Sequence, residues 1–179
     1  AHPMELDGDA GTYFAVWAPD ARRVSVVGDF NMWDGNLHPM QLRPNGGIYE
    51  LFIPNVLSGA VYKYQILTRY DEILYKSDPY GNQAQMRPDN GSVVADLTTY
   101  KWKDTAWVNK RKTYSRTDRM KMPMTIYEMH LGSWRKKVED DDSGFFSYRE
   151  LAPMVADYVK DMGYTHVEIM GIAEYPFDG

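Results

Sequence analysis

Apolar and polar positions alternate in short runs from about Gly11 to Leu97. Gly11 to Ala18 (GTYFAVWA) reads as a strand broken by Pro19-Asp20, and Arg23 to Val27 follows with Val24 and Val26 on one face. Tyr49, Leu51 and Ile53 alternate with Glu50 and Phe52, and Tyr62, Tyr64 and Ile66 alternate with Lys63 and Gln65. Ile73 to Lys76 and Ser92 to Leu97 are shorter runs, with turn signals at Asn45-Gly46-Gly47 and Ser58-Gly59. Period-two runs separated by frequent turns predict a β-sandwich or barrel.

The pattern changes twice after this region. Lys101 to Lys121 carries eight Lys/Arg and two Asp without helical or alternating order. It reads either as a basic patch for an anionic partner or as a solvated connector pinned by Trp102 and Trp107. After Pro123 the order is strand, helix, strand. Met124 to Leu131 is a strand. Ser147 and Glu150 fit a capping box. Leu151, Met154, Val155, Tyr158, Val159 and Met162 then repeat at helical spacing, with Gly163 as a C′ residue. Pro153 lies too late for the first turn of a helix capped at Ser147. A kink is expected there, or a short turn with the main helix starting near Pro153. Tyr164 to Met170 is a second strand, so this half predicts a right-handed parallel βαβ unit. Parallel strands require cover on both faces. A single βαβ unit therefore points to an α/β domain whose remainder lies outside this sequence.

Composition narrows the possibilities without choosing among them. The 179 residues are 44% hydrophobic and 25% charged, with 14 Tyr, 5 Trp and a net charge of −5. That charge gives no reason to expect nucleic acid. No apolar run approaches the roughly 20 residues of a membrane-spanning helix. The lack of Cys excludes disulfides and thiolate metal sites and fits a cytoplasmic protein.

No nucleophile–base–orienter set is visible, so no catalytic residue is assigned. His2, His38, His130 and His166 lack metal-ligand spacing, and no cofactor or metal site is expected. Glu139 to Asp142 lacks the order of a calcium loop and reads as a solvated loop. Glu128 and His130 share a face near the end of the first βα strand, with Glu168 and Glu174 similarly placed after the second. Taken alone, these read as structural. The aromatic residues carry more information, because a flat ring on a sheet face can stack on the C–H face of a glucose ring. Trp33, in VGDFNMWDG, stands in a Gly-, Asn- and Asp-rich turn beyond a strand. It either meets such a ligand or folds over Pro39 and Met40 as a satellite core.

The segments FAVWAPDARRVSVVGDFNMWDG, ELFIPN, YKYQI, KSDPYGNQAQMRP, IYEMHLGSWRKK and SYRELAPMVADYVKDMGYTHVEIMGIAEYPFDG occur in one order along nearly the whole chain. Together they resemble the bacterial glycogen branching enzymes. The first half is similar to a family 48 carbohydrate-binding module and the second to the opening of a family 13 glycoside hydrolase barrel. The FNxWD motif recurs in isoamylases and in the β subunit of AMP-activated protein kinase. The pairing of YExHLGSW with EYPFDG is more specific to branching enzymes.

The resemblance implies an immunoglobulin-like β-sandwich module at 1–98, a connector at 99–122, and the first βαβ unit of a truncated (β/α)8 barrel at 123–179. It implies α-1,4-glucan or glycogen as ligand, with Trp33, Lys63 and Tyr75 as the contact residues. Tyr75 stands where glucan-binding relatives carry Trp. It also implies a parent enzyme that cleaves α-1,4 links and re-forms them as α-1,6 branches. In that family the catalytic carboxylates follow later barrel strands, so this chain is expected to lack them and to need the remainder of the barrel. A non-catalytic α-glucan-binding or structural β-sandwich is the alternative.

Overall fold

The computed structural model describes residues 1–172 except 45, 87 and 138–143. The chain divides into two compact units, residues 1–101 and 102–172. The first contains strands β1 (His2–Leu6), β2 (Asp9–Trp17), β3 (Ala21–Gly28), β4 (Gln41–Leu42), β5 (Ile48–Pro54), β6 (Val61–Thr68), β7 (Ile73–Lys76) and β8 (Ser92–Val93). One sheet has the order β1-β2-β5-β4 and the other β3-β6-β7, with β8 pairing antiparallel to the start of β6. The second unit contains helices α1 (Thr105–Lys112) and α2 (Arg116–Lys121), strand β9 (Ile126–Met129), helices α3 (Leu131–Trp134) and α4 (Tyr148–Asp161), and strand β10 (His166–Ile169).

The two sheets of the first unit share one core. Phe14, Tyr49 and Ile53 come from one sheet, and Val24, Val26, Tyr62 and Tyr64 from the other, all buried in a single cluster. Phe14 and Tyr62 meet edge-to-face at 5.0 Å. The expected alternation therefore has its core face where the sequence puts it, and the unit is a mostly β sandwich. Burial of each large apolar side chain here stabilises by roughly 1.5–3 kcal/mol. The buried tyrosines also need partners. Tyr62 Oη donates to Asp78 Oδ2 at 2.6 Å and Tyr64 Oη to the same oxygen at 3.3 Å. Burial pushes both hydroxyls well above the usual tyrosine range, with the Asp78 carboxylate adding to the shift.

Segment 38–40 ties the two sheets. Val26 N donates to His38 O and Met40 N to Val24 O, so this segment runs along the free edge of β3. The next two residues form β4 on the other sheet. Two elements here were not foreseen. β1 lies before the first alternating run, and its HPMEL has no clean period-two pattern. β4 is only two residues long.

The second unit confirms a parallel pair, with Glu128 opposite Glu168 in the β9–β10 register. The capping box is present: Ser147 N donates to Glu150 Oε2 at 2.7 Å, and Glu150 N to Ser147 Oγ at 3.4 Å. Gly163 adopts φ +75°, as a C′ glycine does. Three expectations need correction. α4 runs unbroken through Pro153 rather than starting at it, because the cap at Ser147 and the apolar stripe hold the helix on both sides. The first strand ends at Met129, and Leu131 opens the short helix α3. Lys101 to Lys121 contains two helices where no helical order was read. Their charges surround the axis, and α2 is set by its own capping box between Ser115 and Asp118. Trp102 and Trp107 are exposed. The acidic run Glu139 to Asp142 and Glu174 lie outside the described residues.

Candidate functional site

The outer face of the β3-β6-β7 sheet carries the polar residues. Lys63 and Gln65 are two apart on β6 and project to the same side, away from Tyr62 and Tyr64. The register sets Ser25 of β3, Gln65 of β6 and Tyr75 of β7 side by side. Gln65 is only 7% exposed. Its Nε2 donates to Tyr75 Oη at 2.9 Å, and its Oε1 accepts from Arg23 Nη2 at 3.4 Å. Tyr75 is 51% exposed, so its ring is presented to solvent while its hydroxyl is anchored. Lys63 Nζ donates to Asn90 Oδ1, and Ser77 Oγ holds the carbonyl of Asn90.

The turn after β3 closes one side of this face. Gly28 is extended, but a Cβ there would lie 2.2 Å from Val61 O and 2.5 Å from the Phe30 ring, so only glycine fits. Asn31 is buried and staples the turn from within. Its Oδ1 accepts from Gly28 N and its Nδ2 donates to Val26 O, both at 2.9 Å, with His38 Nδ1 also 2.8 Å from Nδ2. Burial lowers the His38 pKa, which keeps the ring neutral and able to accept from Asn31. Met32 and Trp33 follow with φ +53° and +61°, two consecutive side-chain-bearing residues in the left-handed region. Such conformations cost of order 1–3 kcal/mol each and persist only where surrounding bonds hold them. Trp33 N donates to Gly28 O at 3.0 Å, and Trp33 Nε1 to Asp29 Oδ1 at 2.8 Å. The Asp34 carboxylate then accepts from Asn36 N and Nδ2, and Gly35 seats the turn on the sheet. A Cβ on Gly35 would fall 2.0 Å from Gln65 Oε1.

Lys63 and Tyr75 thus share one sheet face, with Gln65 between their positions. Trp33 is half-buried in the turn that rests on Gln65 through Gly35. Among the described residues no hydrogen bond joins Trp33 directly to Lys63 or Tyr75. The packing alternative finds Met40 in the sandwich core and Pro39 exposed. Sequence reasoning missed Gln65, Asp29, Asn31 and Asn90 as members of this site. Gln65 had a usable signal, because it alternates in phase with Lys63. Its cross-strand partner is visible only once the register is known.

The second unit offers an apolar groove of about 630 Å³ between α4 and β10, lined by Leu131, Leu151, Val155, Val159, Val167 and Ile169. Tyr127 packs against Tyr158 and Tyr164 at 5.3 and 4.9 Å, and Trp134 Nε1 donates to Tyr127 Oη. His130 is exposed, with Nδ1 3.2 Å from Ser133 Oγ. Among the described residues no group of three His, Cys, Asp or Glu is arranged to hold a metal ion. No helix is long and apolar enough to cross a membrane.

A sandwich with this turn and this polar sheet face is a carbohydrate-binding architecture. Residues 1–81 match the family described as Carbohydrate-binding module 48 (Isoamylase N-terminal domain). Over its full length the chain is 51% identical to the 1,4-alpha-glucan branching enzyme GlgB of Gloeobacter violaceus and 48% identical to that of Synechococcus sp. (strain JA-3-3Ab). It covers 24% and 25% of those proteins, so it spans about a quarter of the length of the curated relatives it matches. The chain belongs to the GlgB branching-enzyme family over that span. The fold is shared with a putative alpha amylase from Salmonella typhimurium (TM-score 0.67, 21% identity, 98% of this chain and 25% of that one). It is also shared with PulA from Klebsiella oxytoca (TM-score 0.62, 25% identity, 96% of this chain and 17% of that one).

Proposed function

We propose that the chain is the α-glucan-holding opening of a 1,4-α-glucan branching enzyme, in which Trp33, Lys63 and Tyr75 contact α-1,4-glucan or glycogen. The observation that carries this reading is the solvent-facing Tyr75 ring anchored by Gln65, on the same face as Lys63 and beside the Trp33 turn. A glucose ring has an apolar C–H face and a rim of hydroxyls. A held ring next to an ammonium and amide groups complements both, and stacking contributes about 1 kcal/mol by analogy with aromatic pairs. Short contacts of this size hold a polymer because it offers many sites.

In this reading residues 1–98 are an immunoglobulin-like module, 99–122 a connector, and 123–179 the start of a (β/α)8 barrel. The apolar groove along α4 and β10 supports the last assignment, since it is the face that neighbouring barrel elements cover. The parent enzyme works in the cytoplasm on glycogen. It cleaves an α-1,4 link, holds the chain covalently on an Asp, and passes it to a glucose 6-hydroxyl. A Glu moves the proton, and the two carboxyls stand about 5 Å apart, as in retaining glycosidases. Those carboxylates belong to the part of the parent outside these residues, so the chain binds glucan without catalysing.

The test is electrophoresis of the chain through a native gel containing glycogen, with and without Trp33→Ala. Retardation that Trp33→Ala abolishes, at nearly unchanged melting temperature, supports the contact role. A stability loss of roughly 3 kcal/mol or more assigns Trp33 to packing. Absence of retardation in the unmodified chain overturns the binding reading. The Trp33 hydrogen bond to Asp29 favours the packing outcome, and this comparison weighs it directly.

A further inference from the structure

The β3–β6 register runs from Gly28 opposite Tyr62 at one end to Ala21 opposite Thr68 at the other. The Trp33 turn follows the first end. At the second end the β2–β3 turn and the β6–β7 turn border an open groove of about 550 Å³. This volume lies within the ~300–1,000 Å³ of small-molecule sites. Trp17, Pro19 and Asp20 line it from one turn, and Arg69, Tyr70 and Glu72 from the other. Trp17 is 69% exposed and Tyr70 is 74% exposed.

The two turns are tied together and internally fixed. Arg69 reaches across to Asp20 at 3.3 Å, and Arg22 pairs in the opposite sense with Asp71. Thr68 Oγ1 accepts from Tyr70 N and Glu72 N, both at 3.2 Å, and Thr68 N donates to Glu72 O at 2.9 Å. On the other side Ala18 N donates to Gly47 O at 2.8 Å, and Ala21 N to Ala18 O at 3.0 Å. The Arg69 guanidinium lies 5.5 Å from the centre of the Tyr70 ring. Two large rings are therefore exposed on a built frame, and little ordering remains for a ligand to impose.

We infer that this groove is a second α-glucan contact site, separate from the Trp33–Lys63–Tyr75 face and at the other end of the same sandwich. It rests on the reading above that the protein handles α-1,4-glucan. The lining decides the ligand class. The indole and phenol faces match the C–H faces of glucose units. The Asp20 and Glu72 carboxylates accept from sugar hydroxyls, and Arg69 donates to them. Two carboxylates against one guanidinium, itself paired with Asp20, disfavour a phosphate or nucleic acid. Charged residues interrupt the apolar ones, so the lining does not offer the continuous stripe that seats an amphipathic helix. The β6 strand spans about 20 Å from Tyr62 to Thr68. Two sites at that spacing engage one glucan chain or two neighbouring chains of a glycogen particle. Linked sites strengthen polymer binding without any new contact.

The test uses the 179-residue chain with its five tryptophans labelled at the indole nitrogen. Trp17→Phe and Trp33→Phe assign the two relevant N–H signals, and maltoheptaose is titrated in. Shifts of both signals are expected, with the Trp17 shift lost in Tyr70→Ala and the Trp33 shift retained. Movement of Trp33 alone overturns the second site and leaves the first standing. Movement of Trp17 alone supports the groove and removes the Trp33 face as a binding site. Movement of neither overturns both. With glycogen, Tyr70→Ala is expected to weaken binding by about tenfold through lost avidity. An unchanged affinity, with unchanged melting temperature, also overturns the groove.

Discussion

The amide of Gln65 holds the hydroxyl of Tyr75 at 2.9 Å across the β6–β7 register, beneath the turn that carries Trp33. A buried amide thereby fixes a ring that is itself half in water. Gln65→Leu keeps the volume and removes the donor and the acceptor. Tyr75 Oη then turns to water, and Arg23 loses its Gln65 contact. The expected stability loss is about 1 kcal/mol, the net value of a typical hydrogen bond. Retardation by glycogen falls more than this, because the ring is no longer oriented. Chemical denaturation and affinity electrophoresis of the same variant separate the two effects. Equal retardation in Gln65→Leu and the parent chain would falsify the positioning role.

Met32 is 83% exposed with φ +53°, so its side chain has little packing to lose and a conformation to relieve. Met32→Gly is expected to leave stability unchanged or raise it by up to about 1 kcal/mol, because glycine accepts the left-handed region without steric cost. Met32→Val is expected to lower it by about 1 kcal/mol or more, since a β-branched residue fits that region poorly. A melting temperature that falls for glycine and rises for valine would show that the turn is held in another conformation.

His38 makes the turn sensitive to acid. Its pKa is lowered by burial from the usual 6.5, so the unfolded chain takes up the proton first. Stability from this group is complete above pH 6.5 and declines as pH falls through the lowered folded value. Protonation also places an N–H against the Asn31 amide donor and loosens the staple at Val26 and Gly28. His38→Gln is expected to flatten the pH dependence of the melting temperature between pH 7 and 5. A slope identical to that of the parent chain assigns it to other groups.

Pro153 stands inside α4 and is exposed, with no N–H to give to the carbonyl of Arg149. An interior proline costs ~3 kcal/mol in a helix. Pro153→Ala is expected to stabilise the second unit by about 1–3 kcal/mol. Slower amide hydrogen exchange from Met154 to Asp161 measures it. No change in protection would mean that the helix ends already relieve the strain.

The sandwich was legible wherever one side of a strand faces the core. Val24, Val26, Tyr62 and Tyr64 alternate with polar neighbours, and burial follows that alternation. The capping box at Ser147 and the glycine at 163 were equally legible, because their partners lie within a few residues. β1 was not. Its residues join the sheet only by pairing along β2, and nothing in HPMEL marks an inner face. α1 and α2 were hidden for the opposite reason. Short polar helices rest on local capping and lack the apolar stripe that periodicity detects.

The candidate site divides along the same line. The sequence by itself determined the aromatic and basic inventory, the phase of Lys63 with Gln65, and the Gly- and Asn-rich turn around Trp33, all of which are local in the chain. Only the tertiary structure decided that Gln65 meets Tyr75, that Gly35 lies on Gln65, and that Trp17 and Tyr70 border one groove. These depend on strand register and on how two distant turns meet. A one-residue slip in register moves every side chain of a strand to the opposite face. The order of residues names the groups, and the pairing of strands determines which of them share a surface.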